Sequence, residues 1–235
     1  MKLITKLSMV LVLTIISTQT YSQDCNFYIP LAENTGVIYK NYDANDNFQG
    51  RQETKITKVD THSDHTEAWI NSKQFDDNNN LLYEGDFGVK CEGEKIVIDI
   101  QSILDPSMME GFEGMEIRME TNDIVLPSKL SVGQKLPDAQ AKMKVTAGGM
   151  TVTELTFVLK DRKVLAKETV NVPAGNFEVY KISYDYIIET QAMGMINKMT
   201  FKHIEYNATD IGMVKSETFD SEGKMMGYTV LSKIL

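Results

Sequence analysis

The sequence predicts a mainly β protein, a long antiparallel sheet curled into a half-barrel or incomplete barrel, with one short helix. Apolar and polar residues alternate with a period of two through most of the chain, as expected for strands that bury one face. The segments between these runs are rich in Asp, Asn and Gly, which suit tight hairpin turns. A short helix is predicted over 102–112, where Pro106 and Gly111 limit its length.

The alternation is clearest over 115–120, where Met and Ile alternate with Glu and Arg, and over 140–146, where Ala, Met and Val alternate with polar residues. The same pattern predicts further strands over 36–42, 52–59, 67–74, 81–91, 95–100, 151–160, 163–170, 178–189, 195–206, 212–219 and 225–234. The segment 126–140 holds two of the five prolines and is predicted to connect either two halves of the sheet or two long strands.

Three predicted turns share a sequence pattern. Each has an aromatic residue, then an Asp, then a polar turn and a new strand, and the three begin at Tyr42, Phe75 and Phe219. Asp, Asn and Gly tolerate the backbone angles of tight turns. The spacing of the three is irregular, which favours recurring hairpins over a solenoid.

The N-terminus has the features of a secretory signal peptide. Lys2 and Lys6 precede an apolar run of about ten residues and a polar stretch that ends at Ser22. That run is well short of the roughly 20 residues that span a bilayer. We predict cleavage after Ser22, a single β domain over 23–235 that does not span a membrane, and a location in the periplasm or outside the cell.

The two cysteines, Cys25 and Cys91, are predicted to form a disulfide, because an exported chain meets an oxidising compartment. The bridge would stabilise the fold by about 3 to 4 kcal/mol in the chain-entropy model. Two unpaired thiols are the alternative. Lipidation of Cys25 is disfavoured, since Gln23 and Asp24 precede it where a lipoprotein needs a small residue.

The charge balance excludes two classes of partner. Without Lys2 and Lys6 the chain carries 22 basic and 33 acidic residues, a net charge of about −11. Nucleic acid binding needs clustered Lys and Arg to neutralise phosphates, and the sequence has no such cluster. Anionic lipid headgroups are disfavoured for the same reason.

The sequence contains no recognisable catalytic motif, and we predict a non-enzymatic protein without cofactor or metal. If 62–67 were a strand, His62 and His65 would point to opposite sides, so a zinc site through His62, Asp64 and His65 would need a turn there. His203 and Glu205 are expected to form a surface pair. A hydrolase with an unrecognised pair of carboxylates is the alternative.

The strand over 178–189 carries the candidate ligand face. Tyr180, Ile182, Tyr184 and Tyr186 project to one side of it, and the next strand adds Met195, Met199 and Phe201. One hypothesis is that this face lines a cavity for a lipid or another apolar small molecule. The other is that it is the closed core of an interaction module that contacts an envelope protein. Methionine suits both, because its flexible side chain fills cores and lines adaptable pockets.

Two segments resemble the TapB-like family, exported bacterial domains of unknown function. They are "ETVNVPAGNFEVYKISY" at 168–184 and "DIGMVKSETFDSEGKMMGYTVL" at 210–231, and "LPSKLSVGQKLPDA" looks like the family's connecting segment. The resemblance covers the chain from residue 29 onward. It implies a cell-envelope protein built on a long antiparallel sheet, a half-barrel distantly similar to the LolA-like periplasmic lipoprotein carriers. It implies no catalytic residues.

Overall fold

The computed structural model describes residues 31–104, 111–112 and 114–235, and almost all of this part of the chain is antiparallel β-structure. The strands are β1 (Gly36–Asp43), β2 (Phe48–Thr61), β3 (His65–Phe75), β4 (Leu81–Glu92), β5 (Lys95–Ile98), β6 (Glu116–Asn122), β7 (Ile124–Pro127), β8 (Ala139–Ala147), β9 (Met150–Val172), β10 (Gly175–Ala192), β11 (Met195–Ala208), β12 (Gly212–Phe219) and β13 (Met225–Ile234). The prediction of a mainly β fold is confirmed.

The strands form one sheet that curls until its two edges meet. The order in the sheet is β6-β8-β9-β10-β11-β12-β13-β1-β2-β3-β4-β5-β7, so β6 and β7 are the edge strands. In the chain these two strands follow one another with Asp123 alone between them. Because one residue spans only about 3.3 to 3.6 Å, the edges lie side by side. The sheet is therefore a nearly closed barrel, as the prediction of an incomplete barrel required.

The helical part of the structure is small. Within the described residues it is a 3-10 helix over Ile100–Ile103, capped by Asp99, whose Oδ1 accepts a hydrogen bond from the Gln101 amide at 2.9 Å. Of the helix predicted over 102–112, Ser102 and Ile103 are helical among the described residues, as the end of this 3-10 turn, and 105–110 lie outside the described residues. Helices among the described residues are all too short to cross a membrane.

The three turns with a shared sequence pattern also share a conformation. In each, the Asp Oδ1 accepts hydrogen bonds from the backbone amides two and four residues later, at 2.7 to 3.0 Å; the aspartates are Asp43, Asp76 and Asp220. The residue three positions after each Asp has a positive φ, at Asp46, Asn79 and Gly223. Asn, Asp and Gly adopt this left-handed conformation most readily, which explains the recurring polar composition.

The core follows the inward-facing side of the curled sheet in three groups of buried side chains. One lies beneath β2, β3 and β4 and includes Ile56, Ala68 and Ile70. A second lies beneath β8 and β9 and includes Met143 and Phe157. The third joins β10–β13 to β1. Between these groups the barrel interior is not completely filled.

Candidate functional site

A cavity of about 380 Å³ lies inside the barrel. Most of its lining is apolar and comes from strands on several sides of the barrel, with Val37, Ile56, Ile70, Phe87, Ile98, Ile124, Leu126, Leu159, Ile211 and Met213 among the lining residues. The exposed C-terminal residues Ile234 and Leu235 also line it, at 45% and 51% exposure. The cavity therefore extends to the barrel end where β13 finishes and β1 begins.

A β-bulge in β9 places an arginine in the wall of this cavity. From Thr153 to Leu159 every second residue of β9 is buried, and continued alternation would direct Asp161 inward. Instead Asp161 adopts φ of +55° and is exposed, while Arg162 is buried at 3% exposure. One extra residue reverses the side to which each following residue points. The bulge is therefore the reason that Arg162 faces the interior.

Arg162 is held from two directions. Its Nη1 donates hydrogen bonds to the backbone carbonyls of Pro137 at 2.7 Å and Val125 at 3.1 Å. Its Nε is buried and has no hydrogen-bond partner among the described residues. Burial lowers the pKa of Arg162 from its ordinary value, and the negative charge of Glu205 acts in the opposite direction. A buried guanidinium is costly unless it is paired, and Glu205 supplies the opposite charge.

Glu205 organises the other polar groups of the wall. Tyr184 donates its hydroxyl to Glu205 Oε1 at 2.5 Å, and Asn207 Nδ2 lies 3.4 Å from Oε2. Burial, followed by the charge of Glu205, raises the pKa of Tyr184 well above its ordinary value. The phenol therefore stays protonated and acts as a donor. The wall thus combines one arginine and one glutamate with hydroxyl and amide groups in an otherwise apolar cavity.

A second tyrosine anchors the opposite part of the lining. The hydroxyl of Tyr39 in β1 donates to the Met213 carbonyl of β12 at 2.9 Å. Burial raises the pKa of Tyr39, with Glu205 adding to the effect. The ring of Tyr39 thus presents its apolar body to the cavity while its hydroxyl is already paired.

The side chains of the predicted ligand face lie in different parts of the structure. Tyr184 lines the cavity. Ile182 is buried in the core group beneath β2, β3 and β4, and the half-buried Tyr180 packs against the same group. Tyr186 and Phe201 are partly buried against the core group beneath β8 and β9. The curl of the sheet distributes these side chains among different parts of the interior.

The two methionines of the predicted face lie at an exposed end of the barrel. Met195 is 71% exposed and Met199 is 42% exposed. Met193, in the turn between β10 and β11, is 92% exposed, and Met150 from the neighbouring β8–β9 hairpin is 74% exposed. The two hairpins are adjacent because β9 pairs with β10 up to their ends. Together we call these residues the methionine end.

His203 belongs to the interior rather than to an outer surface. Its ring stacks on Tyr184 at 5.4 Å between centroids and meets Tyr186 edge-on at 5.7 Å. Its Nε2 lies 3.3 Å from the Thr218 hydroxyl. Burial lowers the pKa of His203, and Glu205 opposes this shift. The histidine therefore borders the same polar wall as Tyr184 and Glu205.

Three predictions concern residues that the structure does not describe. The signal peptide over 1–22, its cleavage site and Cys25 all precede residue 31. Cys91 is fully buried. The Cys25–Cys91 disulfide stays a prediction.

Sequence reasoning did not identify Arg162, the central polar residue of the cavity. The available signal was the break in alternation at "LKDRKV" over 159–164, where two adjacent strands were predicted and the residues between them were left out. A break of two residues in the alternation fits a bulge in one continuous strand as well as a turn between two strands, and in the structure β9 is one continuous strand.

Comparison with known proteins gives one family and two similar structures. The model of the family described as DUF3108-like matches residues 32–231. A candidate lipoprotein from Parabacteroides distasonis ATCC 8503 is 22% identical with a TM-score of 0.73, over 91% of this chain and 100% of that one. A candidate exported protein with a YmcC-like fold from Bacteroides fragilis NCTC 9343 is 18% identical with a TM-score of 0.70, over 90% and 100%. No curated protein matches the sequence.

Proposed function

Because the chain belongs to the DUF3108-like family, we propose that it is an exported cell-envelope protein that binds an apolar ligand inside its barrel, without catalysing a reaction. The signal peptide that the sequence predicts over 1–22 supports the location. So do the two similar structures, which are described as a lipoprotein and an exported protein. The ligand would be a lipid or another apolar small molecule.

The cavity is the observation that carries this proposal. Its volume of about 380 Å³ lies within the roughly 300 to 1,000 Å³ typical of small-molecule sites. Such sites are mostly apolar with a few polar groups that fix the orientation of the ligand. Here the apolar walls include Ile70, Phe87 and Leu126, and Tyr184 with Asn207 supplies the polar groups.

The same wall supports a binding role over a catalytic one. Both oxygens of Glu205 already accept hydrogen bonds, from Tyr184 and Asn207. Arg162 uses Nη1 to hold two backbone carbonyls. A general base or acid needs a proton acceptor or donor that can reach the substrate, whereas both oxygens of Glu205 and the Nη1 of Arg162 are already engaged in hydrogen bonds.

Within the family, we propose membership of the TapB-like group, supported by the Val-Pro-Ala-Gly turn at 172–175 and the segment 210–231. We also propose a distant functional analogy with periplasmic lipoprotein carriers of the LolA type. A curled antiparallel sheet around an apolar interior supports that analogy, because such an interior can shield an acyl chain from water.

The test is native mass spectrometry of the protein purified from its own cell envelope, with lipid extraction of the same sample. We expect a bound apolar species in the parent protein and its loss in Val37→Trp, which places an indole in the cavity. Val132→Trp, at a position 59% exposed, is the matched control and should retain the ligand. Folding of both variants is checked by circular dichroism.

Two outcomes would overturn the cavity proposal. One is a parent protein that carries no extracted species and does not bind a fluorescent fatty acid added afterwards. The other is equal binding by a folded Val37→Trp variant, which would place the ligand elsewhere.

The methionine end favours a second candidate function, an interaction module for another envelope protein. Exposed apolar side chains that cluster on a soluble surface mark contact sites, and methionine adapts to varied partner surfaces. Ile196, at 64% exposure, extends the cluster. Chemical cross-linking in intact envelopes should trap a partner that Met195→Lys loses, whereas Val132→Lys should keep it.

A further inference from the structure

The hairpin between β2 and β3 brings two histidines and a glutamate together. Ligand atoms of His62, His65 and Glu67 lie within 4.8 Å of one another. The chain turns between the histidines, with the His62 amide donating to the His65 carbonyl at 2.8 Å. As a result the two imidazoles stack with centroids 4.5 Å apart instead of pointing to opposite sides. Two imidazoles and one carboxylate form a donor set that zinc uses.

The group lies on the outside of the barrel. Ala68, which alternates with Glu67 along β3, is 1% exposed and packs in the core. Glu67 therefore points away from the core, and His65 shares its side of the strand. His62 itself is exposed. An ion can reach this end of the hairpin without entering the cavity.

The contacts of His65 suit a metal ligand. Its Nδ1 lies 2.7 Å from Asp64 Oδ1, and its Nε2 lies 3.2 Å from Glu67 Oε1. A metal-bound histidine commonly donates its other ring N–H to a carboxylate, as Nδ1 can donate to Asp64. In that tautomer Nε2 is an acceptor that faces another acceptor, and a cation bound between the two would make this arrangement favourable. Two ligands of tetrahedral zinc, each about 2.0 to 2.1 Å from the ion, are themselves about 3.3 Å apart.

Neighbouring charges also favour a cation here. Glu67 is directly opposite Asp60 in the β2–β3 pairing, and like charges at such positions are destabilising. Lys58 forms an ion pair with Asp60, and Lys90 is opposite Glu67 on the β4 side. Glu92, opposite His65, is already paired with Lys95 at 3.5 Å. A divalent ion would relieve the repulsion between Asp60 and Glu67, against partial opposition from Lys90.

We propose that His62, His65 and Glu67 bind Zn²⁺, with a water molecule in the fourth position. Asp64 is a positioning residue that orients the imidazole of His65. The ion would fasten the end of the β2–β3 hairpin. This site is separate from the cavity and does not depend on what the cavity holds.

The test is a calorimetric titration of zinc chloride into the full mature protein after removal of metals with EDTA. We expect one ion per chain, together with a rise in melting temperature. Glu67→Gln keeps the side-chain shape and His65→Ala removes a ligand, and both should abolish saturable binding. Asp64→Asn should weaken it by about 10- to 100-fold. His203→Gln, remote from the hairpin in the barrel interior, is the matched control and should bind as the parent does.

Two results would overturn the site. The first is a parent protein without saturable zinc binding, which would make the His65–Glu67 contact an ion pair of a protonated imidazole. The second is equal zinc binding by the folded Glu67→Gln and His65→Ala variants, which would place the ion elsewhere.

Discussion

Arg162 of β9 donates a hydrogen bond to the carbonyl of Val125 in β7 at 3.1 Å, although the two strands are not neighbours in the sheet. β7 is an edge strand, and β9 is separated from the other edge, β6, by β8 alone. The two edge strands, β6 and β7, do not pair with each other, and the side chain of Arg162 reaches across the gap between them. Its second bond, to Pro137, holds the connection between β7 and β8 at the same place. The side chain of Arg162 thus adds to backbone hydrogen bonds that the same connection makes to β9, such as Leu136 N–H to the Arg162 carbonyl at 2.9 Å, and it also forms part of the cavity wall.

Replacing Arg162 should weaken the contact between β9 and the β7 edge of the sheet. In Arg162→Met two backbone carbonyls lose their charged donor, and we expect a loss of about 2 to 4 kcal/mol in the free energy of unfolding. Arg118→Met removes an exposed arginine that pairs with Glu116 and should cost less than about 1 kcal/mol. Urea denaturation of the three proteins measures the difference. Equal stability of Arg162→Met and the parent would show that Arg162 does not hold the closure.

The bulge at Asp161 gives a second prediction, because its φ of +55° is unfavourable for most side chains. Asp161→Val puts a β-branched residue into the left-handed conformation and should destabilise the protein by about 1 to 2 kcal/mol. Asp161→Gly should have little effect or stabilise it slightly, since glycine adopts this conformation freely. Thermal unfolding followed by circular dichroism compares the two. Equal losses in both variants would mean that the aspartate side chain, and not the backbone, matters here.

The strands could be predicted because a period of two persists wherever one side of a strand is buried. The same reasoning fails at Asp161, where one inserted residue reverses which side of β9 faces inward. Sequence does not locate such a bulge with certainty, because Asp tolerates a positive φ without requiring it. The pattern of alternation also does not predict how the barrel closes. The closure depends on β6 and β7, which are adjacent in sequence but lie at opposite ends of the strand order.

The candidate site was predicted less completely than the fold. Alternation predicts that Tyr184 and Ile182 share one side of β10, but their surroundings depend on strands that are distant in sequence. Tyr184 meets Glu205 and the cavity, whereas Ile182 meets the core beneath β2 and β3. For His62 and His65, alternation assumed an uninterrupted strand, and the turn between them reverses the result. Local patterns thus predict faces, and the tertiary fold decides what each face contacts.

The predicted Cys25–Cys91 disulfide can be tested by its linkage to stability. We expect a disulfide-linked peptide pair in a non-reducing digest of the mature protein. Cys25→Ser should lower the free energy of unfolding by about 3 to 4 kcal/mol, because the bridge restricts the unfolded chain. A reducing agent should lower the stability of the parent by a similar amount and leave the variant unchanged. Two free thiols per denatured, unreduced chain would contradict the prediction.

His203 should make the stability of the barrel depend on pH. Burial lowers its pKa in the folded protein, while Glu205 partly opposes the shift and Tyr184, Tyr186 and Thr218 surround the ring. Below the ordinary histidine pKa of about 6.5, the unfolded chain therefore binds a proton more readily than the folded one. By linkage, stability falls as the pH decreases through this value, until the folded histidine is also protonated.

His203→Gln removes this contribution, so its stability should decline less than that of the parent between about pH 7.5 and about pH 5. Carboxylates contribute to the same decline in both proteins, and the readout is therefore the difference between the two slopes. His62→Gln, at an exposed position, controls for the loss of a histidine when all three proteins are kept in EDTA, which removes zinc from the hairpin, and should then follow the parent. Urea denaturation at several pH values measures all three. Parallel curves for the parent and His203→Gln would mean that folding does not hinder protonation of the buried imidazole.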